Sequence, residues 1–146
     1  MNTETYEMLK LENQLCFPLY VCSKEVVRQY RKPLDSINLT YTQYIVMMAL
    51  WEYGDMTEKR LGELVHLDSG TLTALLRRLE KQGYIERARR ETDERMLSLS
   101  LTDKGDKLRR DAAAVPTAIP NCLGLSADEL KSLKALLDKA MKNMKS

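Results

Sequence analysis

Apolar residues along this chain recur mostly at three- and four-residue steps, the spacing that lines one face of a helix. Between Tyr6 and Tyr30 the stripe reads Leu11, Leu15, Leu19, Val26, Val27, Tyr30. Pro18 interrupts it, which predicts a short lead-in or a kink near Cys16 and a clean helix afterwards. Pro33 and Asn38-Leu39-Thr40 mark a break. Tyr41 to Tyr53 reads as a buried helix closed by Gly54. Thr57 is an N-cap candidate for a short amphipathic helix, Glu58 to Val65, with Leu61, Leu64 and Val65 on one face. After the tight connection His66-Leu67-Asp68, Asp68 or Ser69 caps a helix that runs through TLTALLRRLEKQ and stops at Gly83.

Two segments break the helical period. Tyr84 to Arg90 and Met96 to Leu101 read as strands, the second with Met96, Ser98 and Ser100 alternating against Leu97, Leu99 and Leu101. Between them lies a charged tip, ERARRETDER. Thr102 caps a further helix beginning DKGDKLRRDAAA, which Pro116, Pro120 and Gly124 break up. Ser126 with Glu129 forms a capping box for a last helix ending about Met144.

Composition narrows the class. The chain has 146 residues, 44% hydrophobic and 30% charged, which suits one soluble domain with a real core. The longest apolar run, Ile45 to Trp51, is far short of a bilayer span, so no membrane partner is expected. The start MNTETYEMLK lacks the features of a signal peptide, which predicts a cytoplasmic protein. Three cysteines argue against a disulfide-stapled scaffold. Their spacing with the single histidine, His66, matches no zinc site, and no cofactor is expected. His66 reads as a surface or phosphate contact.

The net charge is only +2, but it is unevenly spread. Residues 71–90 carry six cations (Arg77, Arg78, Lys81, Arg87, Arg89, Arg90) and two anions (Glu80, Glu86). Short helix, tight turn, basic helix and hairpin, in that order, are the layout of a winged helix-turn-helix. A helix starting at Ser69 can lie in a major groove with its first turn on base edges. Ser69, Thr71 and Thr73 suit bases or phosphates, and Arg77 and Arg78 can reach the backbone. The hairpin places Arg95 and its neighbours, Arg89 and Arg90 included, at an adjacent minor groove. The partner this predicts is double-stranded DNA.

VHLDSGTLTALLRRLEKQGYIER followed by DERMLSLSLTDKG resembles the MarR family of dimeric winged-helix regulators. With LENQLCFPLY, Tyr30 and Tyr41, the chain is similar to the organic-hydroperoxide-sensing, OhrR-like branch. The resemblance implies a mainly α-helical homodimer with a two-stranded wing on each protomer, binding a pseudo-palindromic operator. It implies a single domain over 1–146, with a DNA-binding lobe at about 40–101 and dimerisation helices at 1–35 and 102–146. It also implies recognition-helix contacts from Ser69, Thr71 and Arg78, and a wing organised by Asp93 and Arg95.

A reactive thiol needs donors or positive charge beside its thiolate, together with access to oxidant. Tyrosines at 20, 30 and 41 follow Cys16. On a straight helix Tyr30 would face nearly the same side as Cys16 but about 21 Å further along, so one chain cannot join them. An antiparallel second protomer could. The resemblance agrees, implying a sensing Cys16 hydrogen-bonded by the partner's Tyr30 and Tyr41; Tyr20 is a further candidate for that site. Cys122, in PNCLG, is either a resolving cysteine or a half-buried spectator. Cys22 is expected in the core. The reading is thus a repressor, not an enzyme, that leaves its operator when organic hydroperoxide oxidises Cys16. The alternatives are a MarR-type repressor gated by a small phenolic ligand and, from another class, a thiol peroxidase. The peroxidase would lack an active-site arginine and would leave the basic helix and wing unexplained.

Overall fold

A computed structural model describes residues 3–90 and 93–144, with side chains throughout except at 90 and 93–96. In order, the chain forms α1 (Thr3–Glu7), a 3-10 turn (Leu11–Asn13), α2 (Cys16–Asp35), α3 (Tyr41–Tyr53), β1 (Met56–Thr57), α4 (Glu58–Val65) and α5 (Ser69–Lys81). There follow β2 (Ile85–Arg90), β3 (Asp93–Leu101), α6 (Asp103–Ala112), α7 (Val115–Ala118) and α8 (Ala127–Asn143). No helix among the described residues is long and apolar enough to cross a membrane.

The helix starts follow from their caps. Thr57, Asp68, Thr102 and Ser126 each sit in extended backbone and accept a hydrogen bond from the N–H three residues on. Asp68, not Ser69, therefore caps α5. Thr40 and Gln43 make a full capping box for α3. The expected box at Ser126 is half formed: Glu129 N–H donates to Ser126 Oγ, but the Glu129 carboxylate takes the Ser126 hydroxyl. Gly83, at φ 83°, turns the chain from α5 toward β2 in a region where a side chain would be strained.

The expected lead-in is a 3-10 turn, Leu11–Asn13, before Cys16, and Pro18 falls in the first turn of α2, where its missing N–H has no helical acceptor to lose. Other sequence expectations change. Pro33 does not break α2, which continues to Asp35; so near the end, proline removes a single donor. The sheet has three strands rather than two, in the order β1-β3-β2, all antiparallel. Met56 pairs with Leu99 and Thr57 with Ser98. β3 also starts earlier than expected, at Asp93, with the register shifting between Arg89 and Arg90.

The chain divides into two compact units, residues 27–119 and residues 1–26 with 120–146. The first holds the core. Val46, Met47, Leu61, Leu76, Leu79 and Leu99 are wholly buried, drawing α3, α4, α5 and β3 together. Trp51 Nε1 donates to the Gly105 carbonyl at 3.0 Å, which fixes the first turn of α6 beside α3. In the second unit neither α1 nor α8 buries any residue. Leu15, Phe17, Leu19, Leu136, Leu137 and Met141 are all exposed there.

Candidate nucleic-acid interface and thiol region

α5 buries Leu72, Leu75, Leu76 and Leu79, which leaves a second face to solvent. That outer face carries Ser69, Gly70, Thr71, Ala74, Arg77, Arg78 and Lys81, all exposed. Gly70 and Ala74 were not legible as site residues. Their small side chains let the first two turns approach another surface closely, with the cations one and two turns behind.

The hydroxyls are not all free. Asp68 Oδ1 accepts from Thr71 N–H at 2.8 Å, and Asp68 Oδ2 accepts from Thr71 Oγ1 at 2.9 Å. Those two bonds hold the Asp68 carboxyl below its ordinary value of 3.8, so it is ionised at neutral pH. Thr73 Oγ1 donates to Glu58 Oε1 at 2.9 Å, turning it toward α4. Arg87 Nε pairs with Glu80 Oε2 at 3.1 Å, which ties β2 to α5 and neutralises the one acid on that stretch of the helix. Arg77 and Arg89 line the same cleft of about 450 Å³ together with Thr73, Glu58, Glu80, Arg87 and Leu97. Arg77, Arg78, Lys81 and Arg89 thus remain exposed cations on α5 and β2. The contacts expected of Arg90, Asp93 and Arg95 concern side chains outside the described ones. His66 caps α4 in a left-handed conformation, φ 55°, and is exposed.

All three cysteines are free. Cys16 is the first residue of α2, at a helix end whose leading N–H groups lack helical acceptors, and it is exposed. Cys22 is also exposed, which corrects its assignment to the core: every residue of α2 from Cys16 to Lys24 is exposed. Cys122 is half-buried, its N–H donating to the Pro120 carbonyl at 2.7 Å in the turn before α8.

Tyr30 and Tyr41 come together, ring centroids 4.9 Å apart. Tyr44, which sequence reasoning missed, completes a cluster at 5.9 Å from Tyr30 and 6.4 Å from Tyr41. Its only sequence signal is its place three residues after Tyr41, and at 4% exposed it is a core residue as well. Burial, and then the neighbouring Tyr30, push the Tyr41 and Tyr44 hydroxyls above 10.0, so both are protonated donors at neutral pH. Tyr20 belongs to the other unit, exposed, with Lys24 Nζ 4.8 Å from its ring centroid.

Known proteins share this architecture. A profile of the SarA/Rot transcriptional regulators matches residues 28–111. An organic hydroperoxide resistance transcriptional regulator of Bacillus subtilis is 46% identical over 132 residues, 90% of each chain. Reduced AbfR of Staphylococcus epidermidis bound to DNA superposes with TM-score 0.80 at 33% identity, covering 94% of this chain and 96% of that one. A disulfide-formed AbfR matches with TM-score 0.65 at 33% identity, over 99% and 98% of the two chains. A mutant MarR of E. coli on operator DNA shares the fold, TM-score 0.76 at 24% identity, over 86% and 92%. The Bacillus subtilis relative and the matching profile are both of transcriptional regulators. The chain belongs to the SarA/Rot family of transcriptional regulators, DNA-binding winged-helix proteins of MarR type, and resembles the organic-hydroperoxide-resistance branch.

Proposed function

We propose that the protein is a cytoplasmic, homodimeric repressor that binds a pseudo-palindromic operator while Cys16 is reduced and leaves it when organic hydroperoxide oxidises that residue. The observation that carries the reading is the free, exposed Cys16 at the start of α2, in a chain similar to a regulator of organic hydroperoxide resistance. Dimerisation would cover the apolar residues of the terminal helices, which are too many and too large to suit a lone soluble chain. It would also bring Cys16 of one protomer to Tyr30 and Tyr41 of the other, where two phenol donors hold the thiolate.

The DNA contacts follow from the outer face of α5. Ser69 and Thr71 meet bases or phosphates, Thr73 stands at the edge of that surface, and Arg77 and Arg78 contact the backbone. Arg89 and Arg90 on the hairpin, with Asp93 and Arg95 at its tip, serve the adjacent minor groove.

Oxidation proceeds in two balanced steps. The Cys16 thiolate sulfur attacks the outer peroxide oxygen, the O–O bond breaks, and the alkoxide leaves to become an alcohol after taking a proton. The sulfur is left as sulfenic acid. The Cys122 thiol of the other protomer then attacks that sulfur and expels water, forming an intersubunit disulfide. Supporting this second step, AbfR is known in a disulfide-formed state. The tyrosine contacts are lost, the two winged lobes reorient, and the recognition helices no longer match two half-sites one turn apart. An operator titration of the reduced protein with and without cumene hydroperoxide tests the reading. Release by oxidant and recovery with dithiothreitol are expected; a complex indifferent to peroxide would promote gating by a small phenolic ligand.

A further inference from the structure

Tyrosines aside, Gln43 is the buried polar side chain of the described core, 6% exposed, and both ends of its amide are bonded. Oε1 accepts from the Thr40 N–H at 2.9 Å, and Nε2 donates to Gln82 Oε1 at 3.1 Å. Gln82 Nε2 donates to the carbonyl of Asn38 at 3.0 Å, with Asn38 held in the left-handed region at φ 57°. The Gln82 N–H donates to the Arg78 carbonyl, and the Gln82 carbonyl accepts from Lys104 Nζ at 2.7 Å. One amide-to-amide bridge therefore joins the first turn of α3 to the residue that caps the end of α5.

Its two ends have different neighbours. Gln43 stands between Tyr41 and Tyr44 on the first turn of α3. Gln82 directly follows the basic last turn of α5, where Arg78 and Lys81 face outward. An apolar residue at Gln43 would avoid the cost of burying an amide but would give up the cap on the Thr40 N–H, which needs only one end of that amide. What the amide adds is direction, because a hydrogen bond fixes the register of two elements where packing alone lets them slide.

We propose that the Gln43–Gln82 bridge couples the tyrosine cluster to the DNA-reading helix, with both glutamines as positioning residues for operator release. The inference rests on the sensing reading above. When Tyr41 loses its thiolate contact the first turn of α3 shifts. The Gln43 amide carries that shift to Gln82 and so to the end of α5. Without the bridge, oxidation still occurs but α5 no longer follows it.

The test compares wild type with Gln43→Met, Gln82→Met and the double variant. Each change keeps side-chain length and removes the amide. Operator affinity is measured by anisotropy on reduced and cumene-hydroperoxide-treated protein, beside the rate of Cys16 thiol loss and a thermal melt. Gln82→Met should leave reduced affinity within about twofold of wild type and thiol loss unchanged. The ratio of oxidised to reduced Kd should fall about tenfold, and the double variant should lose no more than the larger single. An unchanged ratio, whatever happens to absolute affinity, overturns the coupling and leaves the pair structural; so does a double variant whose loss is the sum of the singles. If Gln43→Met fails to fold, the Gln82→Met ratio decides alone. Wild-type protein that ignores hydroperoxide overturns the sensing reading and the coupling with it. Wild type that releases beside an equally responsive Gln82→Met overturns the coupling only.

Discussion

The rings of Tyr30 and Tyr41 meet at 4.9 Å with their planes inclined by 55°, one carried by the last third of α2 and the other by the first residue of α3. Eleven residues apart in sequence, two phenols end on one small patch. A hydrogen bond to an ionised acceptor is worth about 1.5 kcal/mol or more, close to a factor of ten in a rate that depends on the thiolate. Tyr30→Phe and Tyr41→Phe should therefore each slow hydroperoxide consumption of the Cys16 thiol about tenfold, while reduced operator affinity stays near wild type. Stopped-flow thiol titration checks this. Wild-type rates in both variants would make the tyrosines packing residues alone.

The exposed arginines of α5 make a different kind of prediction. Arg77→Ala and Arg78→Ala should each reduce the slope of log affinity against log salt by about one unit, with little change in sequence preference. Titrations at four salt concentrations against operator and scrambled DNA measure both quantities. An unchanged slope would remove that residue from the phosphate contacts.

Gly105 tests the packing that seats α6. A Cβ there would overlap the carbonyl oxygen of Tyr84, a main-chain atom with little room to yield. The same glycine's carbonyl receives the Trp51 indole N–H. Gly105→Ala should lower stability by about 1–3 kcal/mol in urea denaturation, the usual cost of overpacking. Wild-type stability would mean that α6 can move away without loss.

Cys122→Ser addresses the second half of the redox step. Oxidised wild type should give a dimer band on a non-reducing gel, and the variant should not. Release would then require an added small thiol or over-oxidation of Cys16. A band that survives would assign the bridge to Cys22, which is exposed, or to self-pairing.

Most of the winged-helix lobe is legible in the sequence, since its signals are local. Thr57, Thr102 and Ser126 announce helix starts, Gly83 a helix stop, and Leu97, Leu99 and Leu101 a strand face. What is missing from that reading depends on distant partners. β1 is two residues long, too short for any alternation to register, and exists because Met56 and Thr57 find Leu99 and Ser98. Thr73 reads as a hydroxyl suited to bases or phosphates, and no local pattern shows its hydrogen bond to Glu58, fifteen residues earlier. Gln43 and Tyr44 lie in an apolar run where nothing local separates a structural side chain from a functional one. Cys22 shows the same limit from the other side: helix periodicity says which residues share a face, not whether anything covers that face.

Cys16→Ser tests the central claim most directly. Serine keeps the size and the hydrogen-bonding capacity of cysteine but offers no sulfur to oxidise, and neither α5 nor the hairpin is touched. Anisotropy of labelled operator is measured for wild type and variant before and after one equivalent of organic hydroperoxide. Reduced-state affinities should differ by well under about 1 kcal/mol, oxidant should release the wild type, and the Cys16→Ser complex should stay bound. Release of the Cys16→Ser protein at the dose that frees wild type would contradict redox sensing by Cys16.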